Sequence, residues 1–175
     1  MDLMRSLNDC KAKLWRDYTD LSDVLHRAAG NAARSLDEAM PALADLRESI
    51  YESLNQILHE YYTVRALEWL LSAHPEYQSL EWHWNPRATG TWLEPDLRGL
   101  TADEVSVSGE VTTSPRPSGV IDTRMRSTLG KLSQMPGTKF YFVTSPQMAQ
   151  RAKTKVGKAG YSIAVVDLSS FTLPL

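Results

Sequence analysis

The sequence predicts an α/β (α+β) fold: a mixed β-sheet flanked by helices and preceded by a long N-terminal helical hairpin. Three observations predict it. The first third carries apolar residues at spacings of three and four, the period of an amphipathic helix. Three short alternating stretches then follow one another with only turns between them, as in an antiparallel meander. The last third switches helix, strand, helix, strand, so its final two strands are joined through a helix and should run parallel.

The first helical stripe is Leu3, Leu7, Cys10, Leu14, Tyr18, Leu21, Leu25 and Ala28, with Gly30 as its stop. Ser35-Leu36-Asp37-Glu38 has the form of a capping box that opens a second helix. That helix carries Leu36, Met40, Leu43, Leu46, Ile50, Leu54, Ile57, Tyr61, Val64, Leu67 and Leu71 to about Ala73, where His74-Pro75 ends it. Pro41 lies near enough to the start to be tolerated. The stripes can be covered by each other, by the rest of the domain, or by a second chain, and a homodimer is one expected partner. Residues 1–74 make the hairpin and residues 75–175 the mixed-sheet core. Together they read as one compact domain, with the second helix packing on the core.

The strands are expected at Leu80–Trp84, Trp92–Leu97 and Val105–Thr113. On the third, Val105, Val107 and Val111 alternate with Ser106, Ser108, Glu110 and Thr112, an apolar face and a polar one. Ser114 to Gly119 is a break rich in proline. A helix over Val120–Gln134 follows, with Ile121, Met125, Leu129 and Leu132 inward. Pro136-Gly137 ends that element, and Lys139–Thr144 is an apolar run of the kind buried on both faces. Ser145-Pro146 supplies an N-cap and a first-turn proline for the next helix. Gly160 stops it, and Tyr161–Leu168 is the last strand.

Composition narrows the function. The chain has 175 residues, 42% of them apolar, and a single cysteine, Cys10, so no intrachain disulfide can form. A reducing, cytoplasmic setting is expected. No stretch reads as a signal peptide or a membrane span, so no membrane partner is expected. The net charge of −2 hides an asymmetry. Residues 1–97 hold nine basic against sixteen acidic residues, whereas residues 98–160 hold ten against four. A basic half is what a phosphate-binding surface needs. Arg116, Arg124, Arg126, Arg151, Lys155 and Lys158 are its candidate nucleic-acid contacts. His26, His59, His74 and His83 lack ligand spacing and read as structural or surface residues.

The stretch Glu94-Pro95-Asp96, followed by Glu110 on the next strand, carries the chemistry. If the two strands pair, Asp96 and Glu110 meet, and two carboxylates form a hard-oxygen site for Mg²⁺. A meander carrying Pro-Asp, then an acid one strand later, then a helix and further β/α elements, resembles the PD-(D/E)xK nuclease superfamily, the restriction-endonuclease-like fold. The likeness covers residues 55–168 as topology, but only Pro95-Asp96 and Glu110 as motif. The family places a lysine two residues after the acid, and this chain has Thr112 there.

The resemblance implies a Mg²⁺-dependent (Mn²⁺-tolerant) endonuclease of a bacterium or phage acting on double-stranded DNA, of the stand-alone Type II restriction kind. Asp96 and Glu110 would be metal ligands, with the Val111 carbonyl as a third. Lys131, on the helix after the third strand, would replace the missing lysine, and Arg124 is the second choice. Glu94 is a possible extra acid, as are Glu60 and Glu68 from the preceding helix. Two other readings stand beside it: an inactive nuclease-fold nucleic-acid-binding protein, and an oligomeric interaction protein working through its hairpin.

Overall fold

The computed structural model describes residues 2–3, 6–30, 35–85, 94–102 and 104–172. Six strands form one sheet in sequence order: β1 (Asp2–Leu3), β2 (Glu81–Trp84), β3 (Leu97–Thr101), β4 (Glu104–Thr112), β5 (Thr138–Val143) and β6 (Ala164–Asp167). The pairs β1–β2, β2–β3 and β3–β4 are antiparallel, and β4–β5 and β5–β6 are parallel. The mixed sheet, the parallel last pair and the flanking helices are as the sequence predicts. The strand β1 is new: Leu3 pairs with His83 and does not extend the first helix.

Four helices complete the fold: α1 (Leu7–Gly30), α2 (Leu36–Ala73), α3 (Val120–Ser133) and α4 (Pro146–Ala159). Their ends follow from local chemistry. Ser35 caps α2 by accepting from the Glu38 N–H, and Ser145 caps α4 by accepting from the Met148 N–H. Gly160 closes α4 in the left-handed conformation (φ 67°) that costs glycine nothing.

The helices cover both faces of the sheet. On one face Val64, Leu67 and Leu70 of α2, with Cys10 and Leu14 of α1, pack against Trp82, Leu97, Val107, Val111, Phe140 and Phe142. On the other, Met125, Leu129 and Leu132 of α3 and Met148 and Ala152 of α4 pack against Tyr141 and Val143. Alternate residues of β5 therefore enter two different cores, which is why that strand reads as an unbroken apolar run.

Two expectations change here. The second meander strand was placed at Trp92–Leu97, but β3 begins at Leu97; Trp92 lies outside the described residues. Pro95 has no N–H to give a ladder, so the chain can enter the sheet only after it. The hairpin turn shifts accordingly to Ala102, which has a positive φ of 47°. Second, the last strand is shorter than Tyr161–Leu168, since β6 spans Ala164–Asp167. The polar face of β4 is covered. Ser108 and Glu110 are buried, because α3 lies over them. Ser108 satisfies its hydroxyl by donating to the Pro136 carbonyl at 2.9 Å.

Candidate carboxylate–lysine site

Three layers converge on the buried polar end of β4. Leu97 pairs with Gly109 in the antiparallel register, so Asp96, one residue earlier, falls beside Glu110. The Asp96 backbone is tied to the end of β2, its carbonyl accepting from the Asn85 N–H at 2.8 Å. Its carboxylate faces β4: Oδ2 accepts the Val111 N–H at 2.8 Å. The aspartate that follows Pro95 thus gives the Val111 N–H a carboxylate acceptor.

Glu110 is the strongly perturbed acid of this site. It is nearly fully buried, and burial, reinforced by the Asp96 charge, pushes its carboxyl up to about 7 against the opposing pull of Lys131. Lys131 reaches it from the last turn of α3, held there by the buried Leu129 and Leu132 on either side. Its Nζ lies 2.9 Å from Glu110 Oε1 and donates to the Glu94 carbonyl, also at 2.9 Å. The ammonium therefore bridges the segment carrying Asp96 and the strand carrying Glu110. From the opposite face of the sheet, α2 supplies His59, whose Nε2 is 3.3 Å from Asp96 Oδ2.

The structure brings Asp96, Glu110 and Lys131 together. It does not bring Glu60 or Glu68 to them. Glu60, fully buried, is bound by Lys13 at 2.6 Å and Gln56 at 2.9 Å, and Glu68 by Lys11 at 2.5 Å and Arg65 at 2.7 Å. Both acids pin α1 onto α2. The α2 residue that reaches the site is their neighbour His59, which by sequence reads as a structural or surface residue. The missed signal is angular: His59 and Glu60 sit about 100° apart on the helix, so when Glu60 faces α1 its neighbour is turned toward the strand ends. Thr112, in the motif lysine's place, accepts a hydrogen bond from the Tyr141 hydroxyl at 2.8 Å. Burial, outweighing that bond, and the nearby Glu110 and Asp96 charges push the Tyr141 hydroxyl up to about 12, so it stays a donor.

Among the predicted phosphate contacts, Arg116, Arg124, Arg126 and Lys158 are exposed. Arg151 and Lys155 are engaged otherwise. Arg151 grips both oxygens of Asp122 at 2.7 and 2.9 Å, and Lys155 joins at 3.1 Å. The two cations hold the Asp122 carboxyl far below the usual range and brace α4 against the start of α3.

Among the described residues no group of three or more His, Cys, Asp and Glu is arranged to hold a metal ion. Two hard carboxylates beside each other still fit Mg²⁺, which binds through one or two carboxylates and keeps several of its waters. Burial is the first reason Glu110 is raised and the Asp96 charge the second; a divalent cation held by the two carboxylates would offset that second cause. The Val111 contact recorded here is its N–H to Asp96, so that amide fixes the aspartate, and any metal bond would fall to its carbonyl.

Comparison of the chain with protein-family models, with curated proteins and with solved structures finds no match to any of them. No helix of the described residues is long and apolar enough to cross a membrane.

Proposed function

We propose that the chain is a divalent-metal-dependent endonuclease that hydrolyses DNA phosphodiesters at Asp96, Glu110 and Lys131. One observation carries this reading: the Lys131 ammonium stands 2.9 Å from Glu110, where the lysine absent at Thr112 would be needed. The lysine has moved from the strand to the helix that covers it, and the constellation of two carboxylates and an ammonium is kept.

Asp96 and Glu110 would hold Mg²⁺ or Mn²⁺, which lowers the pKa of a bound water and screens phosphoryl oxygens. The remaining roles belong to the chain. Lys131 is a fixed cation for the charge that grows on the phosphate. The Val111 amide and His59 fix the orientation of Asp96 from two sides. Exposed Arg116, Arg124 and Arg126, beside α3 or on it, would carry backbone phosphates toward the carboxylates.

The test is incubation of the purified chain with supercoiled and linear DNA in Mg²⁺, Mn²⁺ or EDTA, beside Asp96→Ala, Glu110→Ala and Lys131→Met. The expected result is metal-dependent cleavage by the parent that falls by about 100-fold or more in each variant. Intact DNA in every parent lane, across several DNAs including modified ones, would overturn the reading.

A further inference from the structure

We infer that the N-terminal half of α2 is the seam of an antiparallel homodimer. This inference does not depend on the nuclease reading. Seven large apolar side chains of α2 are exposed: Leu36, Met40, Leu43, Tyr51, Leu54, Leu58 and Tyr61. They are not scattered. At 100° per residue all seven fall within about 80° of the helix circumference, spaced by threes and fours apart from the one position taken by Arg47. Leu36 is 77% exposed and Tyr51 61%, values expected of charged residues and not of a repeating apolar stripe.

Nothing else in the described fold is placed to cover this stripe. The α1-facing side of α2 is marked by Ser49, Ser53, Gln56 and Glu60, which line a shared groove with Lys13, Asp17 and Leu21. That side lies roughly 140° around the helix from the apolar stripe. The sheet packs chiefly on the C-terminal part of α2, against Val64, Leu67, Trp69 and Leu70, beyond the last residue of the stripe.

The stripe has the a/d spacing of a coiled-coil seam, and a second copy presents the same stripe. Seven half-exposed large side chains offer on the order of 700 Å² per copy, close to the roughly 800 Å² per partner of a stable interface.

Charge sets the direction. Arg47 interrupts the stripe near its midpoint, and Glu48 follows it on the flank. A parallel partner would set Arg47 against Arg47. An antiparallel partner, with its two-fold axis at the midpoint between Leu36 and Tyr61, sets Arg47 of each copy level with Ile50 of the other, so that the two arginines stand about 4.5 Å apart along the axis.

The experiment is sedimentation equilibrium of the purified chain, with cysteine cross-linking to fix direction. The parent is expected to be dimeric at micromolar concentration. Leu43→Asp with Leu54→Asp, both at exposed positions, should yield a monomer with an unchanged far-ultraviolet circular dichroism spectrum. A chain carrying Leu36→Cys and Tyr61→Cys together should form an oxidised covalent dimer, while Leu36→Cys alone should not. The two positions are about 37 Å apart along one helix and cannot bridge within a chain. A parent that stays monomeric to about 100 µM, or efficient cross-linking by Leu36→Cys alone, would overturn the proposal. The carboxylate site is untouched by these variants, so loss of the dimer and loss of cleavage are separately readable.

Discussion

At the scale of single residues, Glu110 couples stability to pH. Its carboxyl sits near 7 in the folded chain, against an ordinary 4.5, chiefly because it is buried and then because Asp96 is beside it. Between those values the folded state holds a proton that the unfolded state has lost. The resulting stabilisation is complete below about pH 4.5 and disappears as pH rises through 7. Its ceiling is about 3 kcal/mol, from the free energy of one pKa unit. Urea denaturation from pH 5 to pH 8 is therefore expected to show the parent losing stability with rising pH. Glu110→Gln, which cannot ionise, should flatten that slope and be the more stable protein at pH 8. An identical pH slope in parent and variant would show that Glu110 is not the titrating group. The same burial explains why the residue could be named from the sequence but its state could not. Alternation places Glu110 opposite the valines of β4, yet only the packing of α3 over that face removes it from water.

At the scale of elements, much was legible where a local rule acts alone. Ser35, Ser145 and Gly160 bound their helices as their chemistry requires, and the apolar run of β5 is a strand buried on both sides. Errors arose where tertiary pairing decides. Proline moved the start of β3 to Leu97, and Asp2–Leu3 became a strand only because the edge of β2 was there to pair with. His59 and the two buried glutamates of α2 exchanged expected roles, because the helix's rotation is set by α1 and the sheet, which its own periodicity does not reveal. Lys131 could be reached from the sequence, since a helix after the acid-bearing strand must lie across that strand's face.

The Pro136-Gly137 turn shows how tightly such an element is fitted. Gly137 has φ 74°, and a Cβ there would lie 2.6 Å from the Ser106 carbonyl carbon and oxygen. Gly137→Ala is expected to cost roughly 2 kcal/mol or more through left-handed strain and overlap with β4 backbone. Thermal unfolding should show a midpoint lowered by several degrees, and an unchanged midpoint would contradict the geometry.

At the scale of the whole molecule, charge and chemistry divide between two halves. The acidic part carries the hairpin with its exposed apolar stripe and ends at Asp96, and the basic part carries Glu110 and α3. The candidate site lies where they meet, with His59 arriving from α2, Asp96 and Glu110 from the sheet, and Lys131 from α3. It can exist only in the assembled fold, since no two of these groups are neighbours in sequence. Metal affinity is the most direct consequence of the proposed function. Binding requires Glu110 to release its proton, so affinity should rise as pH passes 7. The decisive measurement is titration of the purified chain with Mn²⁺, followed by electron paramagnetic resonance at pH 8 and pH 5.5. One site per chain at pH 8, weakened at pH 5.5, abolished by Asp96→Asn and retained by Lys131→Met, is the predicted result. A parent that binds no Mn²⁺ at pH 8, or binding that survives Asp96→Asn unchanged, would contradict it.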